Sequence, residues 1–366
     1  MALPLLCEVL IDPEQVKGLS MRQWDLLIRQ ARHADLLARL AYLLAGQSDV
    51  PIAAQRHLDA AWIFAQRQAQ SVRYEVASIK KALSDLGIPV VLLKGAAYIM
   101  ADLPAAPGRL LSDIDILVPK AHLEQVENGL LLYGWHTTHH DEYDQTYYRQ
   151  WMHEIPPMKH GVRGTVIDVH HAILPPTARL KPDSSKMLAA AVALVAEPGV
   201  SVFTPVDMVL HSATHLFHEG ELEHGLRDLV DLDVLLRHFG DQGDFWEQLV
   251  ERAVVLDLLR PLYYALRYTA RMVATPIPPF VVKAMEELGS PPALMLLLMD
   301  FLFARALRPS HASCDSQWTA LARWMLYIRS HYLRMPFHLL LPHLIRKAVK
   351  KRQGSGSLTE PAVVKE

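Results

Sequence analysis

The tightest constraint on this chain is the run Leu110-Leu111-Ser112-Asp113-Ile114-Asp115-Ile116-Leu117-Val118, which Pro119 brings to a stop. Side chains two apart in a strand share a face. Asp113 and Asp115 therefore lie on one face, while Ile114, Ile116 and Val118 turn into a core. Neighbouring carboxylates repel unless a positive charge sits between them. The simplest such partner is a divalent cation such as Mg2+, or Mn2+ in its place, which takes oxygen ligands and leaves room for substrate phosphates.

The flanks of this strand carry matching chemistry. Val90-Val91-Leu92-Leu93 reads as a buried strand that breaks at Lys94-Gly95 and enters a short helix. A glycine turn ahead of a helix N-terminus lets backbone N–H groups approach an anion, and Lys94 adds a point charge. Downstream, Gly164-Thr165-Val166-Ile167-Asp168-Val169-His170 reads as another apolar strand with one carboxylate in its middle, and alternation turns His170 to the same side as Asp168. Together these pieces make a phosphate cradle and a three-carboxylate metal site. The guanidinium fork of Arg109 suits phosphate oxygens; it serves equally to neutralise Asp113.

Leu93-Lys94-Gly95, Arg109, the run from Ser112 to Val118 and Ile167-Asp168-Val169-His170 resemble a bacterial nucleotidyltransferase-like family of the polymerase β-type superfamily, a branch often linked to surface and exopolysaccharide gene clusters. The resemblance covers roughly residues 85–175, with a weaker echo to about 270. It implies metal ligation by Asp113 and Asp115, with Asp168 as the third carboxylate. Lys94, Gly95, Arg109 and Ser112 would meet the nucleotide and its phosphates. Lys94-Gly95-Ala96 replaces the usual Gly-Gly or Gly-Ser, and the gap from Gly95 to Asp113 is long, with Pro104, Pro107 and Gly108 inside it. The narrower family shares both departures.

At 366 residues the chain is long enough for two domains and a substantial core. Lys and Arg, 37 together, nearly balance 39 Asp and Glu, so net charge gives no strong nucleic-acid signal. Cys7 and Cys314 lie far apart without metal spacing, which suits a reducing cytoplasm. The first residues meet Glu8 without a basic stretch and do not read as a secretory signal. No apolar run reaches the ~18 residues of a spanning helix.

The expected fold is α+β: a small mixed sheet as nucleotidyltransferase core, with N-terminal helices and a C-terminal helical bundle. Residues 1–86 read as helices packing on the core, with apolar periodicity through 13–46 and again from Pro51 to about Asp85. Gly87 and Pro89 punctuate the junction to the core, 87–175. Inside it, 121–133 reads as a helix, 135–139 and 147–152 as strands joined by an acidic turn, and 153–160 as an edge strand, because Pro156 and Pro157 cannot donate to a ladder. That hairpin brings Glu154 and Lys159 toward the site. A helical domain follows over 176–345, then a basic end and tail over 346–366.

His211 and His215 share a helix face and line the substrate cleft or hydrogen-bond across a helix pair; with Asp228 or Asp231 they would make a second metal site, although no His-Glu-x-x-His is present. Residues 318–352 are aromatic, apolar and then basic, which suits either a packed helix with a solvated end or a peripheral contact with the inner membrane. The expected activity is Mg2+-dependent transfer of a nucleoside monophosphate from a nucleoside triphosphate to an unidentified acceptor. The alternative is a catalytically silent nucleotide-binding or membrane-face scaffold protein of a polysaccharide assembly system.

Overall fold

The computed structural model describes residues 2–138, 142–220 and 222–336. The basic end, the tail and part of the acidic turn after 138 lie outside them. Four helices precede the sheet: α1 (Leu5–Ile11), α2 (Met21–His33), α3 (Leu37–Leu43) and α4 (Ile52–Leu83). Ser20 and Gln23 close a reciprocal cap at the start of α2. Gly87, at φ 61°, takes the left-handed turn that ends the helical layer, close to where the sequence punctuation puts it.

Among the described residues seven strands form one mixed sheet, ordered β3-β4-β5-β2-β1-β7-β6. They are β1 (Val91–Leu92), β2 (Ile114–Leu117), β3 (Trp135–Thr137), β4 (Met158–His160), β5 (Val166–His170), β6 (Val192–Ala193) and β7 (Ser201–Val202). The central pair β2 and β5 is parallel, with Asp115 opposite Asp168 and Leu117 opposite His170. On β2 every residue is buried, so the face bearing Asp115 is covered as well as the face bearing Ile114 and Ile116. The helices α5 (Lys94–Met100), α6 (Leu123–Leu132) and α7 (Glu142–Trp151) are interleaved with the strands. After α8 (Ser184–Ala190) come α9 (Pro205–Thr214), α10 (Gly225–Gly240), α11 (Phe245–Val255), α12 (Leu259–Val273), α13 (Pro279–Leu288), α14 (Ala293–Ala306) and α15 (Thr319–Arg334).

The α+β architecture agrees with expectation, and three local expectations do not. Residues 147–151, expected as strand, lie in α7: Gln145 accepts from Arg149 one turn on, and the Tyr147 and Trp151 rings meet at 6.1 Å. Aromatic β-propensity lost there to helical side-chain pairing. The segment 153–160 is not an edge strand. Only Met158–His160 joins the ladder, between β3 and β5, and its prolines shorten the strand rather than place it. Finally the sheet continues past 175, because β7 pairs in parallel with β1 and β6 extends it.

The N-terminal helices reach into the sheet. Gln68 on α4 donates to the Leu111 carbonyl at 2.7 Å and accepts from the Leu111 N–H at 2.9 Å, holding the chain that leads into β2. The long gap before Asp113 docks on α3. Arg39 donates to the carbonyls of Pro104 and Pro107, and a Cβ on Gly108 would lie 2.5 Å from the Arg39 backbone nitrogen.

Candidate active site

The carboxylates meet where β2 and β5 lie side by side. Asp115 is buried within β2, Asp113 stands just before that strand, and Asp168 sits opposite Asp115. Two cations answer Asp115: Lys94 Nζ lies 3.3 Å from Oδ1, and His170 Nε2 lies 2.9 Å from the same oxygen. Burial disfavours the charge, but Lys94 and His170 hold the Asp115 carboxyl well below the usual carboxylate range.

The other two acids are less well served. Burial and the neighbouring Asp115 charge push the Asp113 carboxyl upward, although Ser112 Oγ donates to it at 3.0 Å. Asp168 is pushed up to about 8, first by burial and then by Asp115, Glu154 and Asp113. Its Oδ1 is buried and accepts no hydrogen bond among the described residues. A buried carboxylate oxygen without a donor is costly unless something supplies positive charge.

His170 spans two acids. Its Nε2 faces Asp115 and its Nδ1 lies 3.5 Å from Glu154 Oε2, while Glu154 bridges to His170 through the backbone as well. Burial works against the ring's charge, yet the Asp115 hydrogen bond and Glu154 hold it up at about 9. His153, Glu154 and His170 also form a cluster whose ligand atoms lie within 4.8 Å of one another. Lys159, by contrast, is exposed on β4 opposite Val166, away from the residues that line the cleft.

A cleft of about 720 Å3, counting its open mouth, runs from Asp113 and Asp115 to α10; Asp168 and Glu154 do not line it. Lys94, Gly95, Ser112, Asp113 and Asp115 form one wall. Lys94 opens α5 with φ 47°, so the left-handed residue at this turn is the lysine and not Gly95. Gly95 is required for packing: a Cβ there would sit 2.9 Å from Leu111 Cγ.

The opposite wall holds Arg109, His215, His224, Arg227, Asp228 and Asp231. Arg109 is buried and committed within the protein. Its Nε donates to Asp231 at 2.6 Å, and one Nη lies 3.4 Å from Asp228. Burial opposes its charge, but both aspartates raise its pKa above that of an ordinary guanidinium. His211 is buried against Phe203 and, through burial and nearby Lys94, held well below its usual range. His215 lines the cleft, one position beyond α9. Since Asp228 and Asp231 are taken by arginines, the described residues do not join these histidines to them as a second metal site. Tyr98 was not singled out from the sequence; it lines the cleft, and its hydroxyl lies 2.6 Å from Ser212 Oγ. Its one signal is the four-residue spacing from Lys94 on α5.

Oxygen donors converging on a strand pair, with a cleft beside them, define a site suited to a divalent cation and phosphates. Residues 20–274 match the family described as uncharacterised nucleotidyltransferase; the chain belongs to that family and is a nucleotidyltransferase. No curated protein matches it. A solved solution structure of the antibiotic-resistance factor ANT(2'')-Ia is similar over 56% of this chain and 98% of that one, at 12% identity and a TM-score of 0.34, too loose a likeness to bear on activity.

Proposed function

We propose that the protein moves a nucleoside monophosphate from a nucleoside triphosphate to an acceptor hydroxyl, with Mg2+ or Mn2+ held by Asp113, Asp115 and Asp168. The observation that carries this reading is the donorless Asp168 oxygen facing Asp115 in a set of hard oxygen ligands. When bound there, a divalent cation neutralises charge on the reacting phosphates. The chain's own residues then have distinct tasks. Lys94 faces the cleft from the first position of α5 and meets phosphate charge. His170 and Glu154 fix the orientation of Asp115 from behind. Asp168, opposite Asp115 on β5, serves as a ligand to the cation and is the carboxylate placed to take the proton of the attacking hydroxyl once a cation keeps it ionised. His215 and the Asp228 wall border the space left for the acceptor, which in this reading is a component of polysaccharide biosynthesis.

A second reading, nucleotide binding without transfer, draws on the commitment of Arg109 to Asp228 and Asp231 instead of to a triphosphate. One experiment separates the two. The purified protein is titrated with each nucleoside triphosphate, with and without Mg2+, beside Asp113→Asn, and pyrophosphate release is followed across a panel of hydroxyl acceptors. Metal-dependent binding that the variant loses, with pyrophosphate released, is the expected result. Binding without release favours the second reading. No binding to any triphosphate overturns both.

A further inference from the structure

Among the described residues, the helical region carries an apolar surface that their packing leaves exposed. On α14, Met299, Leu302, Phe303 and Ala306 are buried, while Leu294, Met295, Leu297, Leu298 and Phe301 face outward. Leu294 is 81% exposed and Leu297 68%. The lone acid of this helix, Asp300, is turned to Arg267 and Arg271 and puts no charge on the outer row. Arg305 lies over the Phe301 ring at 3.7 Å, its cation at the edge of the row. The surface crosses to the neighbouring helix, where Phe301 meets the Trp318 ring at 6.4 Å. Along α15 it continues through Leu321, Trp324 (57% exposed), Tyr327 and Ile328. Scattered apolar residues are normal on a protein surface, but a contiguous two-helix face of this kind marks an interaction site.

We propose that this α14–α15 face rests on an anionic lipid bilayer. Three features select lipid over another protein surface. The middle of the face is aliphatic, and its flank carries Trp318, Trp324 and Tyr327, side chains whose amphipathic rings suit the headgroup level. The described chain ends at Pro336, two residues past α15, and the sequence that follows supplies Arg346, Lys347, Lys350, Lys351 and Arg352 with no acid before Glu360. An apolar face followed in the sequence by five cations complements a surface of anionic headgroups. No single helix among the described residues is long and apolar enough to cross a membrane. The α13–α14 pair reaches that apolarity only together, and it is bent by 117°. The face therefore lies on the bilayer.

Flotation of the full chain with vesicles tests this. Phosphatidylcholine vesicles with about one third phosphatidylglycerol are compared with phosphatidylcholine alone, at low salt and at about 0.5 M salt. The wild type should float with the anionic vesicles, and high salt should weaken this. Leu294→Glu with Leu297→Glu should lower the bound fraction about tenfold, and Trp324→Glu should repeat the effect from the other helix. Circular dichroism confirms that each variant is folded. Lys350→Glu with Lys351→Glu should remove the preference for anionic vesicles. The proposal fails if the wild type floats with neither vesicle, floats equally with both, or is unaffected by the substitutions on either helix. It also fails if sedimentation shows a wild-type dimer that Leu294→Glu with Leu297→Glu separates, which would make the face a contact between copies.

Discussion

Two clusters of buried charge face each other across the cleft, and they are built to opposite ends. On the α10 wall the charges are matched: Arg109 meets Asp231 and Asp228, and Arg227 meets Asp228 at 3.0 Å. Burial notwithstanding, Arg227 and Arg109 lower the Asp228 carboxyl, while burial keeps Asp231 above the usual range in spite of Arg109. On the sheet, Asp113, Asp115, Asp168 and Glu154 gather around Lys94 and His170, and two of those acids are pushed upward. Each aspartate of the first cluster has an arginine partner, while the second keeps a buried carboxylate oxygen that accepts no hydrogen bond among the described residues. Spare capacity, more than charge count, separates a binding site from a structural ion network.

Substitutions should split along that line. The largest effect is expected for Asp115→Asn: pyrophosphate release should fall a thousandfold or more, on the order of 4 kcal/mol of lost transition-state stabilisation, with circular dichroism unchanged. Activity near wild type would remove Asp115 from the mechanism. Asp231→Ala, across the cleft, should act on the fold, because it strands Arg109; a loss of about 3–5 kcal/mol in urea unfolding is expected. An unchanged urea midpoint would show that the α10 network does not hold that wall.

Smaller effects sharpen the contrast. His170→Gln should reduce metal affinity by about 10–100-fold, as expected of a group that orients a ligand, measured by Mn2+ titration. Asp168→Asn should leave the metal-free protein as stable as wild type or more so, since it removes like-charge repulsion; clear destabilisation in EDTA would mean that Asp168 has a structural partner.

The smallest expected effect is on pH dependence. Asp168 rises from an ordinary 3.8 to about 8, so its contribution to stability is complete below 3.8 and lost as pH climbs through 8. His170 rises from 6.5 to about 9, so its contribution is complete below 6.5 and lost through 9. The melting temperature of the metal-free protein should therefore fall as pH rises from about 3.8 to about 9, with both groups contributing between 6.5 and 8, and the gain on adding Mn2+ should grow over the same interval. A flat profile in EDTA would argue against a crowded acid cluster.

The sequence carried the central strand, the long helix α4 and the order of acids along the chain, because alternation, helical periodicity and Gly/Pro punctuation are local. What it could not carry was nonlocal. Arg109 finds its partners 119 and 122 positions downstream, and nothing around it in sequence announces Asp228 or Asp231. The strands β6 and β7 are two residues each, too short for any alternation to register. The Pro156-Pro157 pair was read as marking an edge strand over 153–160, whereas only Met158–His160 pairs, and it does so inside the sheet between β3 and β5. His170 was placed on the correct face, while its simultaneous hold on Asp115 and Glu154 depends on the parallel pairing of β2 with β5.

Lys94 shows what such a site demands of the backbone that carries it. Glycine adopts φ 47° freely, whereas a residue with a side chain settles there at a disadvantage of roughly 1–2 kcal/mol. Lys94→Gly would relax the turn while removing the ammonium beside Asp115. Selection for thermal tolerance alone would drift toward glycine at this position, and selection for turnover would draw it back to lysine. Position 94 is thus where resilience and catalysis pull the same codon in opposite directions.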